Sequence, residues 1–150
     1  MTAYHLLKFV HVAAAIVWVG GVITLTVVTR RMARVHGGPI AQALAREQPF
    51  FGQRLMMPAA LTTLLSGLAM VGLLGGRPPF WVVWGLAGVF GSSAIGALLG
   101  RTGQELGRLS AAGTEEARLR GLRRRLAVLA GINIAVLLST VWAMVVKPTL

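Results

Sequence analysis

One titratable side chain lies well inside an apolar run of this chain: His11, within the uncharged stretch from Phe9 to Thr29. An ionisable group in such a stretch is costly in lipid and marks a functional site by default. An imidazole there has two uses. It can hydrogen-bond across to a hydroxyl such as Ser66, Ser139 or Thr140, or it can offer a ring nitrogen to a metal. At about 100° per residue, Tyr4, Lys8, His11, Ala15, Trp18, Val22 and Leu25 share one helix face. With Tyr4 at the outer interface, His11 lies about 10 Å below it. Lys8 reaches headgroup level by snorkelling, and Ala15 leaves a notch beside the ring.

A rim cation, an imidazole, a small residue and an aromatic in that order suit b-type haem. His11 would bind iron, Lys8 would meet a propionate, and Trp18 would pack on or under the macrocycle. His5 lies about 120° around the helix from His11, so the two cannot hold one ion from one face. His5 reads as an interfacial residue and His36 as a loop residue. No other apolar run offers histidine, which leaves Met70 and Met144 as the further metal-ligand candidates, at compatible depths. Thioethers ligate both haem iron and copper, although methionine in an apolar helix is usually filler.

The elements that must position these residues follow from composition. Of 150 residues, 55% are hydrophobic and 13% charged. The mean hydropathy is +0.72. That does not describe a soluble globule. Three further uncharged runs, Leu55–Gly76, Pro78–Gly100 and Leu126–Val146, are each long enough to cross a bilayer, which takes about 20 apolar residues. The expected fold is all-α: a single integral-membrane antiparallel four-helix bundle with spans at about 5–29, 55–76, 79–100 and 126–146.

The net charge of +11 is sorted by loop. Five arginines lie between Arg30 and Arg54 and seven between Arg101 and Arg125, whereas the other connection has Arg77 alone and the ends have Lys8 and Lys147. Basic short loops stay cytoplasmic, so both termini are expected outside, in the cytoplasmic membrane of a bacterium. The same arginines are expected to meet anionic lipid rather than nucleic acid. The first span does not read as a cleavable signal peptide, since its positive charges follow the apolar core. No cysteine is present, which excludes thiolate metal sites and iron–sulfur clusters. There is no aspartate, and all four glutamates lie in the arginine-bearing loops, so no carboxylate relay crosses the membrane.

Local signals fill in the connections. His36-Gly37-Gly38-Pro39 breaks the first helix, Ile40 to Glu47 reads as a short surface helix, and Pro49-Phe50-Phe51 turns the chain back into the bilayer. The tight turn Gly75-Gly76-Arg77-Pro78-Pro79 makes spans two and three antiparallel neighbours. Thr114 is the expected N-cap of a helix running through Arg125 into span four. Trp81, Trp84 and Trp142 fit an outer aromatic belt. Gly88, Ser92, Gly96 and Gly100 form a stripe of small residues that should let span three approach its neighbours through Gly88, Ser92 and Gly96, join two copies, or leave room for a flat ligand.

Most of the chain resembles a group of small four-span membrane proteins. The residues that carry the resemblance are Leu7-Lys8-Phe9-Val10-His11, Trp18-Val19-Gly20-Gly21 and Arg30-Arg31 in the first helix, Met57-Pro58 with Gly67 in the second, and Val145-Val146-Lys147-Pro148 at the end. The group comprises HemJ-type protoporphyrinogen oxidases, the membrane domain of CopD copper-resistance proteins, and related bacterial families. The resemblance implies that His11 matches the haem b histidine of the HemJ-type proteins and Lys8 the lysine before it. The HemJ-type third helix adds basic residues that Trp81-Val82-Val83-Trp84-Gly85 and Ser92-Ser93 lack, so the resemblance reaches the haem site and not the oxidase chemistry. The expected function is haem-based electron transfer or a haem-linked redox step. The alternatives are CopD-like copper handling by His11, Met70 and Met144, and a cofactor-free accessory subunit.

Overall fold

A computed structural model describes residues 3–35, 43, 47–75, 78–113 and 115–148, apart from the side chain of Leu74. Among them there is no strand. Four long helices follow in order: α1 (Ala3–Val35), α2 (Met57–Leu74), α3 (Phe80–Ala111) and α4 (Glu116–Val146). His36, the expected surface helix up to Arg46, Arg77 and the Thr114 cap lie outside the described residues.

Each helix is long and apolar enough to cross a membrane, the second counted from Glu47 to Leu73. Most of that apolar surface points away from the protein: Phe9 is 70% exposed, Phe90 63% and Leu65 63%. Such a surface needs lipid, because in water a monomer rarely exposes so large an apolar area.

All four helical stretches extend beyond their apolar runs, α1 reaching Val35. Helix α3 continues past Gly100 to Ala111, and α4 begins at Glu116 and runs unbroken through Arg125, as expected. Glu115 occupies the N-cap position and makes no side-chain cap bond. In front of α2 the chain is already helical over residues 47–51 and passes into a π-helical turn, Gly52–Met56. Pro49-Phe50-Phe51 is therefore helix, not the expected turn. The π turn has a local cause. Pro58 cannot donate to the Arg54 carbonyl, and the Met57 N–H reaches back five residues to the Gly52 carbonyl.

The helix ends carry readable stop signals. Gly75 at φ 64° closes α2, Gly113 at φ 66° turns α3 towards α4, and Pro79 in extended conformation precedes α3. Lys147 at φ 51° ends α4, and its ammonium sits 5.4 Å over the Trp81 ring. Phe80, Trp84 and Trp142 pack edge to face nearby, with centroids 5.6 and 6.4 Å apart.

The helices associate as two pairs, α1 with α2 and α3 with α4. Within each pair the contacts run in opposite order. His11 meets Ser66 and Gln48 meets Thr29 in the first pair. Gly88 meets Thr140, Ser92 meets Asn133 and Arg118 meets Glu105 in the second. The pairs join at a small core of Trp18, Ala59 and Leu137, with Val89 of α3 packed against it. All four helices thus touch at one level.

The small-residue stripe is only half used. Gly88 packs on Thr140 and Ser92 bonds Asn133, but nothing lies within 4 Å of where a Cβ would stand on Gly96 or Gly100. A strict four-residue repeat drifts about 40° around a helix at each step, so it leaves a straight seam within three steps. The seam follows steps of three as well as four instead, burying Val82, Gly85, Gly88 and Ser92, with Thr102 buried further along. On α4 the buried residues are Leu119, Asn133, Leu137 and Ala143.

Candidate functional site

His11 is half-buried on α1 and lies against α2. Its Nδ1 is 2.8 Å from the Thr63 carbonyl oxygen and 3.2 Å from Ser66 Oγ. A carbonyl only accepts, so Nδ1 carries the hydrogen. The Ser66 hydroxyl hydrogen goes to the Thr62 carbonyl of its own helix, which leaves an oxygen lone pair facing the same Nδ1–H. Both contacts thus give one answer: in the neutral ring, Nε2 holds the free lone pair. No described residue hydrogen-bonds Nε2, and no buried polar side-chain atom among the described residues lacks a partner, so Nε2 is not sealed in the protein.

Gly67 makes this approach possible. A Cβ there would stand 3.1 Å from the imidazole Cε1. Thr63, Ser66 and Gly67 lie on one face of α2 against His11, and Met70 continues that face one turn further on. Met144 belongs to the other pair, where its terminal methyl fills the space over Gly85.

The residues of the α1 face separate by depth. Lys8 is exposed and has no ion-pair partner among the described residues. Ala15 is half-buried between His11 and Trp18, while Trp18 is 6% exposed in the core. His5 stands edge-on to Tyr4, with centroids 6.2 Å apart. Ser139 and Thr140, the other hydroxyls considered for His11, bond the Val136 carbonyl of their own helix.

Two groups escaped sequence reasoning. The Thr63 carbonyl has no signature in a side-chain pattern. Asn133 did have one, since it is the sole asparagine of the chain and lies inside an apolar run. It is 3% exposed and accepts the Ser92 hydroxyl at 2.7 Å across the α3–α4 seam.

No group of three or more His, Cys, Asp or Glu capable of holding a metal exists among the described residues. A shallow concavity on α3, lined by Arg101, Gln104, Glu105, Arg108 and Leu109, has no converging catalytic groups. No protein-family model, curated protein or solved structure matches the chain. Its fold and site define an all-helical protein with four potential membrane-crossing helices and one oriented imidazole.

Proposed function

We propose that this chain is a small b-type haem protein of the bacterial cytoplasmic membrane. It forms an antiparallel four-span bundle with both termini outside and transfers electrons or takes part in a haem-linked redox step. The observation that carries this reading is the Nδ1–Thr63 hydrogen bond, which fixes the ring and leaves Nε2 as a Lewis base. Donation from the distal nitrogen to a carbonyl is the usual support of a ligating histidine and raises its basicity. Lys8 is the cation near the site and stands at the height where a propionate would meet water. Ala15 leaves room beside the ring, and Trp18 closes the bundle beneath it. Haem bound here would supply a one-electron couple; the chain would supply the ligand, its orientation and a low dielectric.

The test is the visible spectrum of detergent-purified protein made with adequate haem. A Soret band is expected, lost or strongly shifted in His11→Ala and retained in His5→Ala and His36→Ala. Protein that stays colourless after reconstitution overturns the proposal. Metal analysis then distinguishes CopD-like copper handling from an accessory subunit in which His11 only ties α1 to α2.

A further inference from the structure

The uncharged runs of three helices stop at one height, and arginines begin there. Arg30 donates from its guanidinium to the Ala127 carbonyl, and Trp18 meets Leu137 further along the same two helices. These contacts set Arg30 and Arg31 of α1 beside the start of the α4 apolar run, where Arg124 and Arg125 stand. On α3, the Ser92–Asn133 and Glu105–Arg118 contacts place Arg101 within one turn of Arg124. All five side chains are exposed. The Gln48–Thr29 hydrogen bond brings one carboxylate, Glu47, to this level. The ion pairs among the described residues lie elsewhere, Arg118 with Glu105 and Arg123 with Glu116. Five exposed guanidiniums stand at this height against Glu47, with Glu105 one turn beyond Arg101 and 3.7 Å from Arg118, an excess of positive charge that favours an incoming anion.

We propose that Arg30, Arg31, Arg101, Arg124 and Arg125 form a binding belt for anionic phospholipids of the adjoining leaflet. The location selects the occupant. Immediately beyond Thr29 and Gly100, and just before Leu126, a membrane-crossing bundle reaches headgroup level, where phosphodiesters are the abundant anions. A guanidinium fork pairs two phosphate oxygens at once, and it is more weakly hydrated than an ammonium. A zwitterionic headgroup brings its own cation and leaves the positive excess unrelieved, whereas phosphatidylglycerol-type headgroups carry a net negative charge. The belt requires only that the helices cross a membrane and is independent of haem.

The experiment compares parent and variant in nanodiscs of phosphatidylcholine alone and of phosphatidylcholine mixed with phosphatidylglycerol. Phosphatidylglycerol should raise the melting temperature of the parent. It should also be retained over phosphatidylcholine by native mass spectrometry. Arg101→Gln, Arg124→Gln and Arg125→Gln together should remove both effects, each neutralisation weakening retention about fivefold. The corresponding lysine variant should keep part of the effect, and Arg108→Gln, further from the apolar run, should keep all of it. An equal melting temperature of the parent in both lipids overturns the proposal. So does a glutamine variant that keeps its preference, or an equal stabilisation by inorganic phosphate in phosphatidylcholine discs. Should the glutamine variant fail to insert, the parent's lipid retention decides alone: no preference for phosphatidylglycerol overturns the belt.

Discussion

At the residue scale, the Thr63 carbonyl determines which nitrogen of His11 is available. Nitrogen-15 spectra of histidine-labelled, haem-free protein should therefore show a protonated Nδ1 and a bare Nε2 on His11; the opposite tautomer would sink the assignment. Gly67→Val tests the geometry that permits this. Its Cβ would press on Cε1 from 3.1 Å, and the added methyls on a stiff β-branched side chain must displace the ring. The expected cost is about 1–3 kcal/mol of stability, together with loss of the Nδ1-protonated signature. Ser66→Ala should keep that signature, because the shorter bond goes to the carbonyl. His11 was legible in the sequence because a lone titratable group in an apolar run is conspicuous. Ser66 was legible as one hydroxyl among several. Its selection, and the part played by Thr63, depend on the rotation of α2 about its axis, which no local pattern reports.

At the element scale, the α3–α4 seam combines close backbone approach with one buried polar bond. Interhelical hydrogen bonds such as Ser92–Asn133 contribute about 0.6 kcal/mol each in membranes, with the best near 1.7 kcal/mol. Packing at the glycines should weigh more. A Cβ on Gly88 would overlap Thr140, whose hydroxyl is tied to the Val136 carbonyl and whose branched side chain has few rotamers. A Cβ on Gly85 would overlap only the terminal methyl of Met144, which swings aside readily. Gly88→Ala should cost about 1–3 kcal/mol and Gly85→Ala clearly less. Gly96→Leu, with open space around it, should melt with the parent in detergent. A different order of tolerance would show that the seam lies on another face. The four-residue repeat of small side chains was easy to see in the sequence; that only half of it packs was not. The repeat drifts around the helix, and its partner face on α4 decides where contact ends. Likewise, four apolar runs announced four helices, yet their ends were misplaced wherever a helix continues beyond lipid or passes through a proline without stopping.

At the scale of the whole molecule, two tightly packed pairs meet at the Trp18, Ala59 and Leu137 core, and the unequal charge of the two ends sets the orientation to be expected in a membrane. The turn at Gly113 lies between Arg101 and Arg125, in the connection that carries seven arginines. The opposite end of the bundle has Lys8 and Lys147, the latter stacked on Trp81, and the single Arg77 of the connection between α2 and α3. Orientation follows lysines and arginines in short loops within about 15–20 residues of the helix ends, and acidic residues count for little. Glu105 and Glu116, both ion-paired, therefore do not dilute the signal. The two pairs also reinforce each other, since the α1 end with Arg30 and the α4 end with Arg125 lie on the same side, joined by the Arg30–Ala127 bond. A reporter inserted at Gly113 should be cytoplasmic, and one fused after Leu150 should be periplasmic. Neutralising Arg123, Arg124 and Arg125 should yield a mixed population rather than a clean inversion, because Arg101 and the arginines after α1 still hold that side in. A periplasmic reporter at Gly113 in the parent chain would reverse the orientation, and with it the depth at which His11 faces the outer surface.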